Sequence, residues 1–234
     1  MQQMRRLYFT TGSPFARAVR IVLDEKGLDY ERHEEITTPT VEERVKVAPT
    51  LQVPALVDGE VHLWDSNVIL DYLVSTYPNM PAPPDQRPFA EVYMRRDHEW
   101  EDKLTLATLQ TLGVSTGVIS QLQWAGVMHE DNDYADRCAV RVQHLLDWCE
   151  GNLAGRAEGF VEGVVSVQDV LLAVWIMFME NRPLRLEWRS PNRPKIAALH
   201  DRLQARPSFL ANPILWWEPG VVGYDGDKPI FADP

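Results

Sequence analysis

The segment VPALVDGEVHLWDSNVILDYL, residues 53–73, decides the fold of the first part of this chain. It holds two short apolar runs, residues 55–57 and 61–64, which are joined through Asp58-Gly59, a dipeptide that favours a tight hairpin turn. A helical pattern follows over residues 67–76. The segment therefore predicts a strand, a strand and a helix in succession.

Upstream of this segment the pattern alternates between strand and helix. Residues 6–10 are typical of a strand, and SPFARAVRIVLDEKGLDYE, residues 13–31, predicts a helix from Pro14 to Lys26 that ends at Gly27. A second strand over residues 30–36 and a short helix over 40–47 follow. The order β-α-β-α-β-β-α predicts one compact mixed sheet covered by helices.

A proline-rich stretch separates this first domain from the rest of the chain. Five prolines fall within residues 77–89, a density that neither a helix nor a central strand tolerates. We therefore expect a first domain over residues 1–78, a linker over 79–89 and an all-α domain over 90–234. Its helices are predicted at residues 90–111, 134–153, 166–179 and 194–205, with an irregular tail from Asn212.

Two local patterns in the second domain predict structural roles. Ser166 precedes an apolar run, and Asp169 stands three residues after Ser166. This spacing is an acidic variant of the capping box. Cys138 and Cys149 are eleven residues apart in a helical pattern, so about 16 Å separates them and no disulfide joins them. Their spacing fits no zinc site, and we expect two buried thiols and no metal.

Composition excludes several classes of function. The 234 residues are 45% apolar and carry a formal net charge of -11 without any basic run, so nucleic acid and anionic membranes are poor partners. The uncharged apolar stretch over residues 170–179 is about half the length of a bilayer crossing. No apolar run of secretory length follows Met1, so we expect a cytoplasmic protein.

Ser13 is the first candidate for chemistry. It lies where a strand ends, after Gly12 and before Pro14, and is therefore the predicted N-cap of the first helix. A cap of this kind needs no ligand. The same free amides and helix dipole can also stabilise an anion such as a thiolate beside the hydroxyl, so both interpretations stay open.

Val53-Pro54 and Asp65-Ser66 are the second and third candidates. Pro54 is either an ordinary first residue of a strand or a cis proline, and in the second case Val53 offers its backbone to an extended peptide. Asp65-Ser66 is either a plain helix N-cap or a site where helix amides and the Ser66 hydroxyl hold a carboxylate. In that second interpretation Asp65 accepts from an ammonium, so an amino-acid head group fits.

In their order and spacing these segments, together with SVQDVLLAVW at residues 166–175, resemble the cytosolic glutathione transferase family, and in particular a serine-type, bacterial-like member. The resemblance covers nearly the whole chain. It implies an α/β thioredoxin-like N-terminal domain that binds glutathione and an all-α C-terminal helical domain that helps to bind a small hydrophobic electrophile. Glutathione is then a co-substrate, and a homodimer is usual in the family.

The resemblance also implies roles for residues. Ser13 matches the thiolate-stabilising serine, Val53 the backbone contact to the cysteinyl unit and Pro54 the cis proline, while Asp65 and Ser66 match the contacts to the γ-glutamyl end. Serine in place of a redox cysteine disfavours thiol-disulfide exchange. Gln52 is counted with the glutathione contacts, and the candidates for the electrophile site are Phe15, Trp100, Trp124 and Trp216.

Three alternatives accompany this interpretation. Tyr8, at the end of the first strand, is a second candidate for the hydroxyl that stabilises the thiolate. No lysine stands beside Gln52 for the glycyl carboxylate of glutathione, and Arg17 or His33 is expected to replace it. The activity itself could be that of a glutathione-dependent isomerase, dehalogenase or etherase, or the chain could be a non-catalytic interaction module, since a fold does not fix a function.

Overall fold

The computed structural model describes residues 4–10, 12–35, 40–155, 159–213, 221–225 and 228–231. The chain forms two compact units. One consists of Met1–Pro81 together with Pro207–Pro234, and the other consists of Ala82–Arg206.

The first unit is built on a four-stranded mixed sheet with the strand order β2-β1-β3-β4. Strand β1 is parallel to β2 and antiparallel to β3, which is in turn antiparallel to β4. The strands and helices of this unit up to residue 76 are β1 (Arg5–Thr10), α1 (Pro14–Glu25), β2 (Tyr30–Glu35), α2 (Val41–Val45), β3 (Ala55–Asp58), β4 (Val61–Trp64) and α3 (Ser66–Thr76). This is the predicted thioredoxin-like order, and that prediction is confirmed.

One face of this sheet carries the core of the first unit. Leu7 and Phe9 of β1 are fully buried, and Leu56 of β3 lies opposite Leu7. Helix α1 covers this face, because the Arg20 guanidinium stacks 5.0 Å from the Phe9 ring centroid. Burial of each such large apolar side chain contributes about 1.5–3 kcal/mol. Since side chains alternate along a strand, Tyr8 points to the opposite face.

Helix α1 ends where the sequence predicted. Gly27 has a φ of +60°, and the amides of Gly27 and Leu28 donate to the carbonyls of Asp24 and Leu23. A side chain at position 27 would be strained in this conformation, and its Cβ would lie 2.7 Å from Met80. Both observations require glycine there.

Among the described residues of the second unit, the regular secondary structure is helical apart from isolated bridges. Its helices are α4 (Glu99–Trp124), α5 (Asp133–Asn152), α6 (Val167–Asn181) and α7 (Pro194–Gln204). The predictions for α5, α6 and α7 are close to these bounds, but the predicted helix over residues 90–111 is wrong at both ends. Residue 90 lies outside the helix because its amide donates to the Val165 carbonyl, and Arg95 is held by the Asp102 carboxylate.

Helix α4 continues past residue 111 to Trp124, although the small residues in this part do not favour a helix. Gly113 explains the continuation, since a Cβ there would lie 2.5 Å from the ring of Trp175 in α6. The bare backbone at this position lets the fully buried indole pack directly against α4. This close contact stabilises the helix where intrinsic propensity does not.

Helix α6 begins with the predicted capping box. The Asp169 carboxylate accepts from the Ser166 amide and hydroxyl at 2.8 and 2.9 Å and from the Phe160 amide at 2.8 Å. Asp169 is completely buried, and this burial raises the pKa of its carboxyl to about 6. Gly159 closes over the carboxylate with a φ of +109°, and a Cβ there would lie 2.6 Å from Oδ2.

The two cysteines lie in α5 as buried free thiols, as predicted. Burial raises the pKa of the Cys149 thiol to about 12. A thiol with so high a pKa is a poor nucleophile at neutral pH.

The C-terminal part of the chain differs from its prediction in two respects. The tail was expected to lack regular structure, and this is wrong, since β5 (Val221–Asp225) and β6 (Lys228–Phe231) form an antiparallel pair. Two residues separate these strands, a spacing typical of hairpins, but the prolines and glycines around them obscured the pattern.

The second difference concerns the domain boundary, because residues after 206 belong to the first unit rather than to the helical domain. Here the short helix α8 (Pro207–Leu210) packs beside α1. The Asn212 side chain donates to the Asp24 carboxylate at 2.6 Å, and the Arg17 Nε donates to the Asn212 carbonyl at 2.7 Å.

Candidate functional site

The three candidate segments meet at one edge of the first unit's sheet. Tyr8 of β1 lies opposite Ala55 of β3, and Ala55 lies opposite Trp64 of β4. Beyond this row β1 runs on toward the Ser13 turn, β4 leads into Asp65, and β3 is preceded by Val53-Pro54. Segments that are far apart in sequence are therefore neighbours in the fold.

Ser13 is the N-cap of α1, as predicted. Its Oγ accepts from the Ala16 amide at 3.3 Å, and Pro14 occupies the first helical position. The hydroxyl proton has no acceptor among the residues that the structure describes. Ser13 is half-buried, so the side chain both caps the helix and retains a hydrogen-bond donor for a ligand.

The Val53-Pro54 bond is cis. Pro54 is buried, Val53 is half-buried and Gln52 is exposed. Within the described part of the chain, neither the amide nor the carbonyl of Val53 takes part in a backbone hydrogen bond. Such a pair of groups can accept an added extended strand.

Asp65 is the N-cap of α3. Its Oδ1 accepts from the Asn67 and Val68 amides at 2.9 and 3.4 Å, which leaves Oδ2 available to a cation. Ser66 occupies the first helical position and is only 5% exposed. The N-terminus of α3 therefore offers a carboxylate oxygen, a hydroxyl and helix amides at one place.

Two residues of the site have unusual backbone conformations. Leu51 has a φ of 59° and Asp65 has a φ of 70°, while the other described non-glycine residue with a positive φ, Arg185, lies in the second unit. A positive φ costs a residue with a Cβ about 1–3 kcal/mol. Such residues cluster at functional sites, where the surrounding structure holds them.

Tyr8, the alternative to Ser13, lies on the sheet face opposite α1. Its ring stacks on His33 of β2 with 4.5 Å between the centroids, and its side chain is half-buried. Ser13 lies in the turn that follows β1, as the N-cap of α1. Tyr8 therefore has an aromatic packing partner, whereas Ser13 lies at the N-terminus of a helix.

The two predicted substitutes for the missing lysine are both engaged elsewhere. Arg17 donates to the Asn212 carbonyl and stacks 5.5 Å from the Phe209 ring centroid, and burial lowers the pKa of its guanidinium to about 9. His33 stacks on Tyr8, and its Nε2 lies 3.0 Å from Glu31 Oε1. These contacts bind Arg17 to the C-terminal segment and His33 to the far face of the sheet.

The predicted electrophile residues are placed in different elements. Phe15 is half-buried in the first turn of α1, next to Ser13 and Pro14. In the second unit Trp100 is 73% exposed at the start of α4, where Lys103 Nζ lies 4.5 Å from its ring centroid, and Trp124 is 44% exposed at its end. Trp216 lies outside the described residues.

One residue of this region was missed by the sequence analysis. Arg44 of α2 donates from Nη1 to the Leu51 carbonyl at 3.2 Å, two residues before Val53. The sequence shows Arg44 only as a positive charge some residues before Gln52. Because seven residues separate Arg44 from Leu51, no local pattern predicts their contact.

The described residues lack two kinds of feature. No helix there is long and apolar enough to cross a bilayer. In the same part of the chain no three His, Cys, Asp or Glu side chains are grouped so that they could hold a metal ion.

Residues 7–83 match the family model for "Glutathione S-transferase, N-terminal domain". A glutathione S-transferase of Triticum aestivum is 29% identical over 218 residues, which cover 88% of this chain and 91% of that protein. A stringent starvation protein A homolog of Haemophilus influenzae is 29% identical over 113 residues, 47% of this chain and 53% of that protein.

Solved structures extend the similarity over most of the chain. A glutathione S-transferase of Methylobacterium radiotolerans, in complex with glutathione sulfonate, superposes with a TM-score of 0.72. It is 25% identical, and the match covers 90% of this chain and 94% of that one. Together with the two-unit architecture, these similarities show that the chain resembles glutathione S-transferases in sequence over its first 83 residues and in fold over most of its length.

Proposed function

We propose that this protein is a glutathione transferase that holds glutathione as its thiolate for attack on a small hydrophobic electrophile. The observation that carries the proposal is the meeting of three groups at one sheet edge: the Ser13 hydroxyl, the Val53 backbone, and the Asp65-Ser66 helix N-terminus. Their chemistry matches the sulfur, the peptide backbone and the amino-acid head group of glutathione.

The N-terminus of α3 binds both charged groups of the γ-glutamyl part of the ligand. Its carboxylate binds the helix amides and the Ser66 hydroxyl, while its ammonium donates to Asp65 Oδ2. The cysteinyl unit pairs with the Val53 amide and carbonyl as an added strand, beside Gln52. Pro54 lies buried beneath this contact.

Ser13 then lowers the pKa of the bound thiol. Its hydroxyl donates to the sulfur while Oγ still accepts from Ala16, and the positive end of the α1 dipole favours the negative charge. Each unit of lowered thiol pKa corresponds to about 1.4 kcal/mol of preference for the thiolate. The sulfur forms a bond to an electrophilic carbon, the leaving group takes the bonding electron pair, and the thiol proton goes to solvent.

Position favours Ser13 over Tyr8 in this role, because Tyr8 stacks on His33 on the face away from α1. For the electrophile we propose contacts from Phe15, Trp100, Trp124 and Trp216. A cytoplasmic homodimer, as is usual in the family, completes the proposal.

Calorimetric titration with glutathione and with S-hexylglutathione tests the proposal. We expect both to bind, and the alkylated ligand to bind more tightly because its tail buries apolar surface. Binding of neither ligand at millimolar concentration would contradict it. Product analysis then separates a transferase, dehalogenase or etherase, which changes glutathione, from an isomerase, which returns it.

A second candidate function is a non-catalytic interaction module. The similarity to stringent starvation protein A homologs favours it, since these relatives are not named as transferases and match about half of their length. Tight glutathione binding without turnover of any of a panel of aryl halides, epoxides and enals would favour this candidate.

A further inference from the structure

A buried arginine in α1 has a hydrogen-bond donor without an acceptor. The Arg20 side chain is only 1% exposed, and its guanidinium stacks 5.0 Å from the ring centroid of Phe9. Among the described residues no group accepts from Arg20 Nε, which is shielded from solvent. Burial lowers the pKa of this guanidinium, because the charged form loses its hydration. Buried charges in proteins are normally paired, so we expect an anion beside Arg20.

Two carboxylates interact electrostatically with Arg20, but each is hydrogen-bonded to another group. The Asp24 carboxylate accepts from the Asn212 side-chain amide at 2.6 Å. Glu34 Oε2 accepts from Arg32 Nη2 at 3.1 Å. Neither carboxylate accepts from Arg20 Nε. An acceptor for Arg20 must therefore come from elsewhere.

The charges around Arg20 favour an anion. Arg17 and Arg32 both interact unfavourably with Arg20, whereas Asp24 and Glu34 interact favourably with it. Three arginines thus outnumber two carboxylates at this place, in a chain whose formal net charge is -11. An anion bound there removes the excess positive charge.

Strand β2 supplies two further donors on the side of the sheet that α1 covers. Arg32 stacks 5.1 Å from the Phe9 ring centroid, so it shares this ring with Arg20. Tyr30 is two residues from Arg32 in the same strand and therefore on the same face. Burial raises the pKa of the Tyr30 phenol, so the hydroxyl keeps its proton and can donate. Because Arg32 is exposed, this cluster extends to the surface.

We propose that the seam between α1 and β2, lined by Arg20, Arg32 and Tyr30, binds a phosphate ion. Guanidinium forks suit phosphate oxygens, and Arg32 keeps further N–H donors beside the one that bonds to Glu34. The donors come from a helix and from a strand, so an oxyanion with acceptors in several directions can bond to both elements. Arg20 lies seven residues after Ser13, about 10 Å along α1, which separates this site from the proposed glutathione site.

Calorimetric titration with inorganic phosphate tests this at neutral pH, without glutathione and at an ionic strength held constant with sodium chloride. We expect the wild type to bind phosphate and Arg32→Gln to bind it about 10- to 100-fold more weakly, the effect of a lost charge-assisted hydrogen bond. Tyr30→Phe loses a neutral donor and should weaken binding about 2- to 10-fold. Arg6→Gln removes the same charge from β1 on the other face of the sheet and is the matched control, with unchanged binding.

Arg20→Met tests the buried group itself. The unbranched side chain can still pack on Phe9, but the charge is removed. Added phosphate should raise the melting temperature of the wild type, because it binds only the folded protein, and should not raise that of Arg20→Met. Each protein is compared with itself, with and without phosphate, so a change in the basal stability of Arg20→Met leaves the comparison valid.

Three results would overturn the proposal. One is the absence of phosphate binding to the wild type. The second is equal weakening in Arg32→Gln and Arg6→Gln, which would mean that phosphate responds only to overall charge. The third is phosphate stabilisation of Arg20→Met as large as that of the wild type, which would place the ion away from the buried arginine. Glutathione binding is measured separately, so the proposed function stands or falls independently of these results.

Discussion

Two serine caps in this protein show how the same local motif can serve different purposes. Ser166 begins α6 inside the second unit, where its hydroxyl and amide both bond to the buried Asp169 carboxylate. Ser13 begins α1 at a sheet edge, half-buried, and uses only its acceptor. The Ser166 cap makes all its hydrogen bonds inside the fold and stabilises the structure, whereas the Ser13 cap has a donor that the proposed function assigns to the ligand.

The largest effect on stability is expected at the Ser166–Asp169 cap, whose hydrogen bonds are all made inside the fold. Asp169→Ala leaves the buried amides of Phe160 and Ser166 without their acceptor, so unfolding free energy should fall by about 3 kcal/mol or more. Urea denaturation followed by circular dichroism measures this. A loss below about 1 kcal/mol would mean that water reaches these amides and that the cap is not closed.

The matched pair Ser13→Ala and Ser166→Ala tests the comparison directly. We expect Ser13→Ala to lower kcat/KM about 100-fold and to raise the pKa of bound glutathione's thiol, with about 1 kcal/mol of stability lost. Ser166→Ala should cost about 2 kcal/mol of stability and leave the thiol pKa unchanged. Ultraviolet titration of the thiolate in the complex gives that pKa.

Tyr8→Phe is the control for the assignment of Ser13. It removes the other candidate hydroxyl while the stacking on His33 is retained. Near-normal turnover in Ser13→Ala together with a large loss in Tyr8→Phe would transfer the role to Tyr8.

The buried cap should also leave a signature in the pH dependence of stability. Burial raises the pKa of Asp169 from its ordinary value of 3.8 to about 6 in the folded protein, so the folded state holds the proton more tightly. Stability from this group is therefore present at low pH and is lost as pH rises from about 4 through 6, by about 3 kcal/mol. Urea unfolding midpoints measured across this pH range should fall more steeply with rising pH in the wild type than in Asp169→Asn. The same pH dependence in both proteins would contradict this prediction.

The smallest effect is expected at the other cap of the site. Asp65→Asn keeps the Oδ1 acceptor for the α3 amides and tolerates a positive φ, but it removes the charge offered to the ligand's ammonium. Glutathione affinity should fall about tenfold with little change in stability. Calorimetry gives the affinity, and an unchanged value would mean that Asp65 is a cap alone.

The parts of the fold that the sequence predicted are those that local chemistry determines. Pro14 and Gly27 delimit α1, and Asp58-Gly59 joins β3 to β4, because each acts through its own backbone. The start of α4 was missed because residues 90 and 95 are held by Val165 and Asp102, which no local pattern reveals.

The same distinction applies within the candidate site. Ser13, Pro54 and Asp65 could be identified as turn and cap residues, and the ladder between β1, β3 and β4 then brings them together. The contact from Arg44 to the Leu51 carbonyl could not be predicted, since it forms only once α2 has folded back on this segment. Side chains that act across a loop are invisible to periodicity.

The position of residues 207–213 has a consequence for the order in which the protein is made. This segment packs on α1 through Asn212, yet residues 82–206 of the second unit are synthesised before it. At about 5–20 residues per second, roughly ten seconds pass on the ribosome between the two parts of the first unit. During that interval the face of α1 that meets Phe209 lacks this contact, so the first unit is completed only after residues 82–206 have been synthesised.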